Sequence, residues 1–335
     1  MARKSRRRRK QKEELKLKLT DYQFPGEKNG YWTAIGITLG LFIWAGVMAF
    51  VFRASLFGEK QWSGLGGIGW PIWATVVIVV FPWLAILAAN ILATRHSAAD
   101  IKQVGRQAKV MPNNYPELHR VLADHVKLAG MKLPNMYLLQ DEAPYIYTIP
   151  GGPGTIVVST GLRDGLEEDD LSALIAHEIG HINSHHVRTT LAINYITNAN
   201  PIFKVLLFPL LLIKLFAGGW MDLANFTADR FAVLLTGDAA GLNKALVKMA
   251  VLADKQANIT PEELWTYLES SGDISTDAAQ MERQFRIGTF ISSQPNLGER
   301  IEEMREFIKS DEGKTAFDKM DEIRRQAGAA QPASG

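Results

Sequence analysis

Near the middle of the chain, His177-Glu178-Ile179-Gly180-His181 has the residue types and the spacing for metal chemistry. If the segment is helical, the two histidines stand one turn apart on one face, about 6 Å along the axis at about 1.5 Å per residue. Two imidazoles so placed can share one zinc ion, and Glu178 beside them can act as general base on a water that the ion activates. A pattern with three fixed positions in five recurs by chance in unrelated helices, so its context has to decide. His185 and His186 extend the cluster. On an unbroken helix His185 lies about 12 Å from His177 along the axis, too far to converge on one ion, and nothing at Ile182–Ser184 forces a break. Both are read as interface, solvent-facing or supporting groups, and a third ligand is expected from another segment.

The elements that must position these residues are legible around them. The acidic run Glu167, Glu168, Asp169 and Asp170 suits the first turn of a helix, where negative charge meets the positive end of the macrodipole. Leu171, Leu174, Ile175, Ile179 and Ile182 then form an apolar stripe, and His177, Glu178 and His181 lie beside it at the wall of a cleft. Upstream, Asn135–Gln140, Tyr145–Ile149 and Thr155–Ser159 read as short strands. The Pro150–Gly154 turn between the last two lacks a lysine and opens no helix, so it is no phosphate loop. Thr155, Ile156, Val157 and Val158 are the expected edge on which an extended peptide adds by main-chain hydrogen bonds. Amphipathic helices are expected over Pro116–Ala129, Leu242–Leu252, Pro261–Leu268 and Gly298–Ile308. His119 and His125, on the first of these, lack a partner motif and read as surface or structural histidines.

The 335 residues contain no cysteine, which excludes a disulfide framework and a thiol nucleophile. Net charge is only +2, yet ten of the first eighteen residues are Lys or Arg. Such a head could be a nucleic-acid arm, but the segments after it favour a membrane: uncharged runs with spans at about 31–52 and 70–93, rich in tryptophan near their ends. With basic residues before the first span and after the second, both ends of the hairpin are expected in the cytoplasm. Gly64–Gly69 matches a dinucleotide fingerprint only in letters, since no soluble strand precedes it. Gly36 and Gly40 offer a small-residue face through which membrane helices, within the hairpin or between two copies, can pack. The expected organisation is a basic head (1–28), a hairpin (29–95), a soluble domain (96–327) and a polar, disordered tail (328–335). Within the domain, the apolar stretch 191–217 is too short for two spans and reads as a re-entrant or interfacial element, with a lid over the cleft as the alternative.

Taken together, the Pro-Gly-Gly turn, Gly161-Leu162, His177–His181, the Ala228-Asp229 pair and Pro295–Ile301 resemble the membrane zinc metalloproteases related to HtpX and the CAAX prenyl endopeptidase. The resemblance implies an α+β zincin-like domain, mainly helical with a small sheet, behind a two-helix hairpin. It implies a Zn2+-dependent endopeptidase in a bilayer that cleaves membrane or misfolded proteins and has no nucleic-acid partner. It also implies a third ligand at Asn225, where the family usually has Glu, and a group stabilising the intermediate at Gln294, where it usually has His. Tyr145-Ile146-Tyr147 stands where Asn-Ala-Phe is usual. The resemblance makes Asp229 a support for a zinc-bound histidine. Asp222 and Asp229 share a face with Asn225 and are alternative ligands, while the amide can bind through its carbonyl oxygen or a water. A weakly active or inactive relative serving as a membrane-bound binding module is the alternative reading.

Overall fold

The structure is a computed structural model that describes residues 16–51, 108–191, 208–253, 260–271 and 297–329, with isolated helical positions between 80 and 95. Contacts divide it into two units, one of Met1–Phe24, Asp100–Val187 and Asp222–Gly335, the other of Pro25–Ala99 and Arg188–Met221.

In the second unit, α1 (Glu27–Val51) carries an uncharged apolar sequence after its first two residues. Among the described residues it is the one helix long and apolar enough to cross a membrane, over Glu27–Met48. Trp32, Trp44, Val47 and Val51 are exposed along it. Most of the span anticipated at about 70–93 lies outside the described residues, as do 192–207 of the apolar stretch at 191–217. Its remainder is no separate element. Positions 208–217 open a 29-residue helix, Phe208–Thr236, that continues through Asn225 and Asp229.

The first unit builds the site. Helix α2 (Pro116–Ala129) begins on a proline and ends on Gly130, whose φ of 65° is the left-handed stop that glycine tolerates best. His125 on this helix is buried, its Nε2 2.8 Å from Ser172 Oγ. Strands β1 (Asn135–Leu139), β2 (Ile146–Ile149) and β3 (Thr155–Ser159) form a sheet in the order β1-β3-β2, with β1 parallel and β2 antiparallel to β3. The centre strand is therefore Thr155–Ser159, buried along its whole length. That corrects the sequence reading of Thr155, Ile156, Val157 and Val158 as the substrate edge. Their continuous apolar run is the signature of a strand paired on both sides and covered on both faces, whereas β2 is buried only at Ile149 and, among the described residues, has a strand on one side only.

Ser159 caps the short α3 (Thr160–Gly165) by accepting from Leu162 N–H. Helix α4 (Glu168–Asn183) comes next, and Leu171, Leu174, Ile175 and Ile179 bury its stripe. Asp170 does more than complement the helix dipole. It is buried and bonded at 2.8 Å to Lys248, itself buried on α6 (Ala239–Ala253). Helix α5 is Phe208–Thr236; α7 (Pro261–Ser271) opens on a capping box in which Thr260 and Glu263 exchange bonds. Helices α8 (Leu297–Lys309) and α9 (Asp311–Ala329) close the unit.

The residues just before α1 also belong to this core. Leu17 and Tyr22 are buried with Phe231, and the Tyr22 and Phe231 rings lie 4.8 Å apart. Phe24 N–H donates to Thr227 Oγ1 at 2.9 Å, and the Arg230 guanidinium sits over the Phe24 and Phe307 rings at 4.8 and 4.5 Å.

Candidate metal centre

Two helices make the site, and a glycine lets them meet. A β-carbon on Gly180 would lie 3.0 Å from Ala228 Cα and from the Ala228 carbonyl oxygen. No larger residue allows the backbones of α4 and α5 this close, and the contact sits one residue before His181 and one before Asp229.

The two histidines converge. His177 Nε2 and His181 Nε2 are 3.1 Å apart. Two nitrogens bound to one tetrahedral zinc at about 2.0–2.1 Å would stand about 3.3 Å apart, so the pair fits a shared ion. Each ring is also held at its other nitrogen. His177 Nδ1 lies 2.8 Å from Asp229 Oδ1, which places the proton on Nδ1 and leaves the Nε2 lone pair facing His181. His181 Nδ1 lies 3.1 Å from His186 Nδ1. Burial, then the nearby charges of His177, His186 and Arg300, push the His181 pKa well below its ordinary value, so the ring is neutral and able to donate a lone pair.

Asn225 is buried and hydrogen-bonded to His181. Its side chain thus reaches the site, as a neutral amide. Asp229 is buried too and grips Arg300, receiving Nε at 2.8 Å on Oδ2 and Nη2 at 2.6 Å on Oδ1. Burial alone would raise this carboxyl, but the Arg300 guanidinium and His177 hold it below its usual range. Asp222 is different: burial and the neighbouring Glu299 charge raise its pKa. Among the described residues no three His, Asp or Glu side chains cluster as a ready metal cage. The polar groups gathered around His181 are the His177 and His186 imidazoles and the Asn225 amide.

Glu178, next to His177, is buried, and burial raises its pKa despite the opposing effects of His177, a bond from Thr148, and Arg300. Thr148 Oγ1 on β2 donates to Glu178 Oε2 at 2.5 Å. The candidate base therefore sits between the metal-facing histidines and the strand with an unpaired side. Gln294 lies outside the described residues.

The model of Peptidase family M48 matches residues 112–308, more than half of the chain. The chain belongs to peptidase family M48. The matched span runs from just before α2 into α8, and so includes β2, α4 and α5, which carry Thr148, the two histidines and Asn225. Among curated relatives, the chain is 29% identical over 155 residues to the plastoglobule-localized metallopeptidase 48 of Arabidopsis thaliana, covering 45% of this chain and 44% of that protein. It is 32% identical over 98 residues to a protease HtpX homolog of Thermoplasma volcanium (29% and 32%) and 24% identical over 135 residues to one of Levilactobacillus brevis (38% and 43%). The chain thus spans less than half the length of these relatives. No solved structure matches.

Arg300 and Thr148 escape a reading of the sequence, which leaves the role of a third residue, His186, open. Arg300 sits inside the Leu297–Ile301 segment that carried the resemblance, but nothing in its spacing shows that it meets Asp229, 71 positions earlier. Thr148 adjoins the Pro-Gly-Gly turn, and only strand pairing reveals that it faces Glu178. His186 requires a break in the helix. That break exists: α4 ends at Asn183 and His185 is left-handed at φ 62°, so the assumption of an unbroken helix through Ser184 is corrected. His186 turns back, buried, onto His181.

Proposed function

We propose that this chain is a membrane-anchored, zinc-dependent endopeptidase that hydrolyses peptide bonds of membrane or misfolded proteins. The observation that carries the reading is the convergence of His177 and His181 Nε2 at 3.1 Å beside a buried Glu178.

His177, His181 and the Asn225 carbonyl oxygen would hold the ion. When bound, zinc supplies Lewis acidity and lowers the pKa of a water to about 7. Glu178 takes a proton on its carboxylate and later delivers it to the leaving amine, and burial, which raises its pKa, favours its holding that proton in between. Asp229 holds His177 in the tautomer that presents Nε2, and Arg300 fixes Asp229 through both carboxylate oxygens. Replacing a carboxylate by Asn225 leaves the site one negative charge short, which weakens zinc affinity and leaves the bound ion more electrophilic. Gln294 can donate a hydrogen bond to the developing oxyanion. The substrate adds as an extended strand along β2, where Thr148 ties that edge to the general base. Helix α1, with the basic residues before it, supports an anchor whose N-terminus and peptidase unit lie in the cytoplasm, and membrane proteins as substrates.

The test is metal analysis and proteolysis on the full chain in detergent. The expected result is one zinc per chain, with cleavage of casein or a membrane protein that disappears in Glu178→Gln and on chelation. Zinc far below one per chain, or cleavage that survives in Glu178→Gln, refutes the reading.

A further inference from the structure

Helix α4 ends in a specific way. His185 N–H donates to the Ile182 carbonyl at 3.2 Å and His186 N–H to the His181 carbonyl at 3.1 Å. This pair of bonds is a Schellman end, in which the left-handed position is normally glycine. Here a histidine occupies it, at φ 62°, although a β-carbon is strained in that conformation.

The strained turn reverses the chain and lays the next ring over a metal-facing one. His186 is 2% exposed, its Nδ1 is 3.1 Å from His181 Nδ1, and the two rings meet edge-on with centroids 5.3 Å apart. The turn is also clasped from outside. The fully buried Tyr22 accepts from Asn183 Nδ2 at 2.6 Å through its hydroxyl, which lies 3.4 Å from Ser184 Oγ.

His186 is on the wrong side to be a ligand. His181 presents Nε2 to His177, and Nδ1 is the ring's other edge. With Nε2 committed to an ion, the His181 proton resides on Nδ1 and needs an acceptor in a buried place. Asp229 provides that acceptor for His177, and the imidazole of His186 stands in the equivalent position for His181.

We propose that His186 is a positioning residue for the zinc-binding ring of His181, accepting its Nδ1 proton, and that the Tyr22 clasp holds the turn that places it. The proposal rests on the zinc-peptidase reading. Partners of this kind fix the orientation and tautomer of a metal-binding histidine, and losing one typically lowers metal affinity 10–100-fold.

The experiment titrates Zn2+ against a chromophoric chelator on the metal-free full chain in detergent, comparing wild type, His186→Gln, His186→Met and Tyr22→Phe. Gln and Met are similar in size, but Gln offers a carbonyl acceptor where Met has only a weakly accepting thioether. His186→Met is expected to lose roughly 10–100-fold in zinc affinity, His186→Gln to retain most of it, and Tyr22→Phe to fall between. The visible absorption of the cobalt-loaded chain should change in His186→Met and not in His186→Gln. Equal affinities for wild type and His186→Met overturn the proposal, as does an equal loss in the Gln and Met variants, which would mark a packing effect. Where His186→Met does not fold, Tyr22→Phe decides: weaker zinc binding at an unchanged metal-free melting temperature supports the clasp, and unchanged affinity overturns it. A wild-type chain that binds no zinc sinks the peptidase reading and this proposal with it; wild-type binding alongside an indifferent His186→Met sinks this proposal alone.

Discussion

Removing Arg300 tests whether the charges behind the metal-facing histidines are coupled as the geometry says. Arg300 is 3% exposed and Asp229 is fully buried, with two charge-assisted bonds of 2.8 and 2.6 Å between them. In Arg300→Met the methylene packing is roughly kept, but the Asp229 carboxylate loses both guanidinium bonds in a place water does not reach. Breaking one side of such a buried pair costs about 3–5 kcal/mol, because the remaining charge keeps its full desolvation penalty. For a domain of this size each kcal/mol moves the melting temperature by about 2–4 °C, so the expected fall is about 6–20 °C. The assay is thermal unfolding of the full chain in detergent at pH 7 with chelator present, which removes any stabilisation by bound metal. The double variant Arg300→Met with Asp229→Leu should recover most of the loss, since replacing both charges with apolar groups is often nearly neutral. A fall below about 2 °C in the single variant, or a double variant that melts below both singles, would show that the pair is not coupled as described.

Two other perturbations probe different contacts. Gly180→Ala puts a β-carbon 3.0 Å from the Ala228 backbone; the helices must separate, at about 1–3 kcal/mol, and a melting temperature equal to wild type would show that they need not touch. The carboxylate of Glu262 is held below its usual range chiefly by its bond to Lys248. Its contribution to stability is therefore present above the unfolded value near 4.3 and lost as pH falls through the lowered folded value. The fall in melting temperature on acidification below about pH 4.3 should be shallower in Glu262→Gln than in wild type, and identical slopes would show that this ion pair adds nothing.

Much of the site was written in the chain itself. The His177–His181 spacing needs only a helix, and the acidic first turn and apolar stripe of 168–183 specify one by local chemistry. The three strands, the capping box at Thr260 and Glu263, and the apolar length of α1 arise in the same way, because each depends on neighbours in sequence. Tertiary structure decided what depends on distant partners. Strand order came from pairing, so the run read as an edge, Thr155–Val158, became the centre, since burial on both faces and pairing on both sides produce the same apolar letters. Asp170 read only as a dipole-stabilising acid of the first turn, and its partner Lys248, 78 positions away, is brought to it by the fold. The bidentate grip of Arg300 on Asp229, the bond from Thr148 to Glu178, and the buried Tyr22 of an otherwise basic head all join residues that no local rule connects. The end of α4 is the sharpest case. A glycine at position 185 would have announced the turn; a histidine forced into the left-handed region did not, and only the packed structure supplies the clasp that holds it there and returns His186 to His181.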